Sequence, residues 1–170
     1  MTPRPIASQD RELIRGLYGD SERMARIGPA LTDSQIERLM TERLKPWSPE
    51  ADHWGCWVME DQQGALGIVG LRRLPMEQAT AEVGFMMLQR GEGRGLASRG
   101  LSWLCQQAER QWGFERLVAL CLPDNQRSIT LLERHRFRYG YRLPQAVPWN
   151  EAFRDAVVYL RDRDTEAAEG

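Results

Sequence analysis

The stretch Glu82-Val83-Gly84-Phe85-Met86-Met87-Leu88-Gln89-Arg90-Gly91-Glu92-Gly93-Arg94-Gly95-Leu96-Ala97 constrains this chain more than any other. It reads as a buried strand, a glycine-rich loop and the start of a helix. Apolar Ala97, Leu101, Leu104, Cys105, Ala108 and Trp112 then recur at a spacing of three and four, with Arg99, Gln106, Glu109 and Arg110 between them, which predicts an amphipathic helix. Gly113 stands where a left-handed C′ residue belongs, and Phe114 follows as the apolar partner of a Schellman stop. Glycines ahead of a helix leave backbone N–H groups uncovered, at the end where several lack intrahelical partners and the macrodipole is positive. That is an anion site, and phosphate is the usual anion.

Two common phosphate loops fit poorly. A Walker loop needs Gly-Lys-Ser/Thr, and no lysine is present. A dinucleotide fingerprint belongs at the first strand of a doubly wound unit, whereas these glycines, Gly91, Gly93 and Gly95, fall in mid-chain. The segment from Arg90 to Ala97 instead resembles the acetyl-CoA pyrophosphate loop of the GNAT N-acetyltransferase superfamily, Gln/Arg-x-x-Gly-x-Gly/Ala. One register runs from Arg90 through Gly93 to Gly95. A second ends on Ala97 and puts Glu92, a carboxylate, at the Gln/Arg position. Downstream, the apolar run Leu117 to Leu122 leads into Pro123-Asp124-Asn125-Gln126-Arg127-Ser128, then Leu131-Leu132-Glu133 and Phe137. This resembles the Asn-x-x-Ser…Leu-Glu-x-x-Gly-Phe segment that follows the loop in that superfamily. The likeness runs from about Arg4 to Tyr159, weaker before Trp54. With Gln145, Ala146, Asn150, Asp155 and Tyr159 it is nearest the branch that acetylates N-terminal amines of ribosomal proteins. It departs at Arg136, where the family has glycine: a left-handed residue there costs roughly 1–2 kcal/mol.

Taken in order, the chain fits one α/β domain. Its 170 residues, 42% apolar, can supply a core. A brief strand is expected before Ala7, then a helix capped by Ser8 and carrying Leu13, Ile14, Leu17 and Tyr18. Thr32-Asp33-Ser34-Gln35 is a capping box ahead of Ile36, Leu39, Met40 and Leu44, and Pro46 stops that helix. The loop from Trp47 to His53 is where acceptor contacts are expected. Cys56–Glu60 and Ala65–Leu71 read as a β-hairpin, Thr80–Leu88 as a third strand, and 117–122 as a strand buried on both faces and parallel to it. A short helix over 126–135 and strands near 137–141 and 156–160 complete the reading. The resemblance implies an α/β (α+β) GNAT fold: a mixed, mostly antiparallel sheet with a central splayed parallel pair, flanked by helices. Residues 1–163 form the expected domain and 164–170 a flexible tail.

Net charge is −1, which gives no electrostatic reason to expect nucleic acid or an anionic membrane as partner. No apolar run approaches the roughly 18 residues of a span, and the N-terminus lacks a signal-peptide core, so a cytoplasmic location is expected. Cys56, Cys105 and Cys121 lie in apolar stretches without metal spacing and read as buried thiols; His53 and His135 stand apart from any partner. No metal is expected. Trp47, Trp54, Trp57 and Trp149 read as core or rim residues that leave room for an apolar substrate wall.

The resemblance implies acetyl-CoA as co-substrate and a primary amine as acceptor, either a small molecule or a peptide N-terminus. Phe85, Met86 and Met87 would pair with pantetheine through backbone, or simply be core strand. Gly93, Arg94, Gly95, Leu96 and Ala97 would hold the diphosphate. Glu82 would draw the amine proton through water, or serve as a structural acceptor. Many members carry a tyrosine as thiolate acid where this chain has Leu132. Ser128 inherits that role by likeness to the ribosomal-protein branch, its other reading being a helix hydroxyl bonded to nearby backbone. Asn125 positions the cofactor or caps the helix. The resemblance also admits a homodimer. A different class of function, a non-catalytic acyl-CoA-binding or interaction module, is motivated by Leu132, Glu92 and Arg136. A phosphotransferase is weaker, the loop having no lysine and one carboxylate.

Overall fold

The computed structural model describes residues 2–164. Strand β1 (Arg4–Pro5) is brief, as expected, and pairs antiparallel with β2 (Gly55–Asp61). The first helix departs from the sequence reading: residues 8–10 form a 3-10 turn and α1 spans Arg11–Tyr18. Asp10 rather than Ser8 organises the entry. Its buried carboxylate accepts from the Ala7 N–H at 2.8 Å and from the Arg4 guanidinium at 2.8 and 2.9 Å. A one-turn helix, α2 (Ser21–Met24), follows, capped by the Asp20 side chain; four residues are too few for periodicity to announce. The capping box of α3 (Asp33–Arg43) forms as read, with reciprocal bonds between Thr32 and Gln35 of 2.8 and 3.3 Å.

The strands β2, β3 (Gly64–Arg73) and β4 (Thr80–Met87) make an antiparallel meander. Helix α4 (Leu96–Gln106) runs on through a π turn over 107–111 and stops where expected. Gly113 has φ 74°, and the Phe114 N–H donates to the Ala108 carbonyl at 2.9 Å. Its face of Leu101, Leu104, Cys105 and Ala108 packs with Met59, Val69, Leu71 and Val83 on one side of the sheet. Leu13, Ile14, Leu17, Ile36 and Met40 cover the other side against Val58 and Ile68. Trp47, Trp57, Trp103 and Trp112 form an aromatic cluster within the first core, with ring centroids 4.9–6.3 Å apart.

Strand β5 (Arg116–Cys121) returns parallel to β4, yet the two pair only at Thr80–Arg116, Ala81–Leu117 and Glu82–Val118. Beyond Glu82 they splay. The apolar run here is not buried on both faces throughout: Leu120 stays 39% exposed, in the wall of a cavity that opens at the splay. Helix α5 (Gln126–Arg134) ends on Arg136 at φ 67°, so the residue in the family's glycine position does take up the left-handed conformation. Arg136 then pairs with Asp164 at 2.7 Å.

The last two strands are much longer than expected, β6 (Arg138–Trp149) and β7 (Ala152–Asp162). Pro144 and Pro148 hide β6 from a pattern reading, since proline is confined to edges and bulges. The sheet order β1-β2-β3-β4-β5-β7-β6 puts β6 at the edge. The register slips between Leu143 and Val147, Gln145 takes φ 49°, and Asp155 secures the bulge by accepting from the Gln145 N–H at 3.0 Å and from Arg142 at 2.8 Å. Residues 165–170, most of the expected tail, lie outside the described residues. Among the described residues no helix is long and apolar enough to cross a membrane, and no cluster of three potential metal ligands occurs.

Candidate active site

The glycine loop closes onto α4 through Gly93 and Gly95, each with φ 73°. A Cβ at either would meet nothing within 4 Å, so the left-handed backbone, not lack of space, requires glycine. Gly91 serves differently, since a Cβ there would come 2.7 Å from the Met87 sulfur. Gly95 is the N-cap, and the first bond of the helix runs from the Arg99 N–H to its carbonyl at 3.0 Å. The N–H groups of Leu96, Ala97 and Ser98 therefore have no partner among the described residues. They border a cavity of about 810 Å³, which is also lined by Arg23, Phe85–Met87, Asn125, Arg127 and Ser128.

Charge in this cavity is arranged around Glu92. Its carboxylate meets Arg23 on α2 and Arg127 on α5, each at 3.1 Å. Burial opposes ionisation of Glu92, but the hydrogen bonds from Arg127 and Arg23 outweigh it and hold the carboxyl below its ordinary range. Arg23 also donates to the Met87 carbonyl, which occupies one acceptor at the end of β4.

A smaller cavity, about 250 Å³, opens where β4 and β5 splay. Tyr18, Arg43, Trp54, Gly84, Leu120 and Cys121 contribute to its wall. Arg26, Ile27, Phe85, Met86, Asn125 and Ser128 border both cavities. Asn125 caps α5, its side-chain oxygen accepting from the Ser128 N–H at 3.4 Å, so both residues are fixed at the junction by the first turn of that helix. A ligand reaching from the glycine loop to the splay would have its far end there.

Most residues singled out from the sequence converge. Phe85, Met86, Met87, Gly93, Gly95, Leu96, Ala97, Asn125 and Ser128 line the larger cavity. The Arg94 side chain does not: it pairs with Asp61 on the β2–β3 turn at 2.5 Å and holds that carboxyl below its usual value. Glu82 lines neither cavity; it bonds Arg72 across the strand pair at 2.8 Å, two residues along β4 from Gly84. His135 is not isolated, since its Nε2 sits 2.8 Å from the Ser98 hydroxyl. The loop from Trp47 to His53 contributes nothing to either wall; Trp54, just after it, does. Pattern reading missed Arg23, Arg26, Tyr18 and Arg43, which carry no local signal. Arg127 lay inside the Asn-x-x-Ser segment and was available to it.

A splayed parallel pair, a glycine-capped helix start with uncovered N–H groups and a second cavity sharing its inner wall form one two-chambered cleft. Residues 1–138 match the family described as acetyltransferase (GNAT) domain, and the chain belongs to that family. It is similar to a ribosomal-protein-serine acetyltransferase of Escherichia coli K12, 28% identical over 101 residues, which are 59% of this chain and 56% of that protein. The match thus spans about half the length of that relative. Among solved structures, a ribosomal α-N-protein acetyltransferase in complex with coenzyme A superposes with TM-score 0.80 at 18% identity, covering 95% of this chain and 93% of that one. A spermidine N-acetyltransferase from Vibrio cholerae gives 0.76 at 17%, covering 96% and 95%. At such identities the likeness is one of fold.

Proposed function

We propose that this chain transfers the acetyl group of acetyl-CoA to a primary amine by direct attack in a ternary complex. The observation that carries the reading is the junction at Phe85, Met86, Asn125 and Ser128, which one cavity reaches from the phosphate-type helix start and the other from the opposite side. The loop N–H groups and Arg127 hold the diphosphate. The free edge of β4 takes the pantetheine arm and polarises the thioester carbonyl. The amine nitrogen attacks the thioester carbon, a C–N bond forms, the C–S bond breaks, and the thiolate takes a proton relayed through the Ser128 hydroxyl, which solvent water replenishes. The proton lost by the amine passes through water to Glu82. A cysteine relay is disfavoured because burial pushes the Cys121 thiol up to about 11, leaving it protonated near neutrality. The name of the Escherichia coli relative supports a peptide N-terminus as acceptor; the smaller cavity also accommodates a small-molecule amine. The cytoplasm is the compartment of this reading, with no nucleic acid or membrane as partner.

The test is incubation with acetyl-CoA and a panel of amines, following N-acetyl product by mass spectrometry against released CoA. Product and thiol in equal amounts are expected. CoA binding without product from any amine would leave the acyl-CoA-binding module. In the same assay Glu82→Gln lowers the rate and changes its dependence on pH; an unchanged profile removes Glu82 as the base.

A further inference from the structure

The acceptor side of the junction has a charge that identifies what it takes. Among the described residues, none lining the smaller cavity is Asp or Glu, whereas Arg26 and Arg43 both do. Arg43 is half-buried at the end of α3 and has no carboxylate partner among the described residues. Its guanidinium carbon lies 5.5 Å from the Trp54 ring centroid, and the guanidinium bonds the half-buried Tyr18 phenol, partly offsetting the upward shift that desolvation gives that hydroxyl. Arg72 also lies over the Trp54 ring, 5.2 Å from its centroid, and is already committed to Glu82. Of the other carboxylates in the neighbourhood, Glu42, whose ionisation Arg43 favours, is bonded to Lys45 at 2.8 Å, and Asp10 is taken by Arg4. A partly desolvated guanidinium with an aromatic neighbour but no counter-ion is suited to a planar anion, which it can grip through two parallel N–H bonds. A polycationic amine would instead meet like charge with no carboxylate to receive its distal ammonium groups.

We propose that the acceptor is a primary amine carrying a carboxylate a few bonds from its nitrogen, with the carboxylate held by Arg43 and the amine presented at Phe85 and Ser128. This deepens the acetyl-transfer reading and rests on it. The cavity, at about 250 Å³, is below the roughly 300–1,000 Å³ of sites for drug-sized ligands, so a single amino-acid unit fills it. That unit is either a free amino acid or an acidic first residue of a peptide.

The test compares kcat/KM for L-leucine against L-leucinamide, for amidated tripeptides beginning with aspartate against asparagine, and for spermidine. At least one carboxylate-bearing member of a pair should exceed its neutral partner by roughly tenfold or more, and which pair does so tells the free amino acid from the peptide. Arg43→Gln should collapse that ratio to near one, and Arg43→Lys should retain part of it. Calorimetric affinity for acetyl-CoA should stay at the parent value in both variants. Preference for spermidine or the neutral partners in the parent enzyme overturns this inference alone, as does a ratio untouched by Arg43→Gln. Failure to acetylate any of these amines, while acetyl-CoA still binds, removes the acetyl-transfer reading and this inference with it.

Discussion

The two cavities that meet at Ser128 are built on opposite plans. The larger one is built around one continuous stretch, the end of β4, the glycine loop and the first turn of α4, and is closed by residues from segments 20–27 and 125–134. At the start of α4 its polar groups are backbone N–H, so local conformation makes that part of the site. The smaller one draws Tyr18, Arg43, Trp54, Gly84 and Leu120 from five separate elements or loops, and its character lies in side chains brought together by the fold. The same fold can therefore keep its donor site while exchanging acceptors. Neighbours of similar fold bear names as different as a ribosomal-protein and a spermidine acetyltransferase.

The sharpest way to break this division is at Gly95. Gly95→Glu places a carboxylate at the helix start and forces φ 73° on a residue with a side chain. Losing two N–H bonds to a charged diphosphate, at about 1.5–3 kcal/mol each, predicts roughly a thousandfold weaker acetyl-CoA binding by calorimetry. The acceptor wall should be untouched, and the fold retained at a cost of roughly 1–2 kcal/mol. Unaltered binding would mean that the diphosphate is not held at the start of α4.

Ser128 belongs to both cavities, and its substitution should divide differently. Ser128→Ala removes a proton donor but leaves the Asn125 cap intact, because that bond uses the Ser128 backbone N–H. Turnover should fall by roughly a hundredfold while acetyl-CoA affinity stays within about twofold. A parallel loss of affinity would make the hydroxyl a cofactor ligand, and unchanged turnover would remove it from the mechanism.

What could be read from the sequence follows the same division. The loop, α4 with its Gly113 stop and the capping box at Thr32 are local patterns, each decided within a few residues, and each is present as read, while Asn125 takes the capping position that was one of its two readings. The parallel β4–β5 pair was legible from the apolar run itself, whereas its splay was expected only through the family resemblance, because an apolar run looks alike whether a strand or a ligand lies beside it. The bulged β6 was obscured by Pro144 and Pro148, whose lost hydrogen bonds are tolerated only because β6 is an edge. Nothing near Arg43 or Arg23 in the chain announces a cavity. Arg94, in the heart of the motif, turns its side chain away to Asp61.

Glu92 gives the smallest and most informative comparison, since it is a side-chain device inside the backbone-built site. With its carboxylate joined to Arg23 and Arg127, the two guanidiniums that could meet a diphosphate are engaged, and CoA must compete for them. Glu92→Gln removes that competition without changing shape. Partly exposed pairs contribute about 0.2–1 kcal/mol each, so acetyl-CoA should bind roughly fivefold more tightly, with the gain shrinking as salt screens both the pair and its rival. The sign with pH follows from the lowered pKa of Glu92 in the folded chain. Its contribution to stability is fully present above the unfolded carboxylate value and is lost as pH falls through the lower folded value. The parent should therefore unfold more readily than at neutral pH only in that acid window, and Glu92→Gln should flatten this part of the profile. Above it, Glu92 stays ionised, and the affinity gap between the two proteins should hold constant through the neutral range. Weaker CoA binding in Glu92→Gln would reverse the assignment, making Glu92 the group that preorganises Arg23 and Arg127 for the cofactor rather than the one that competes with it.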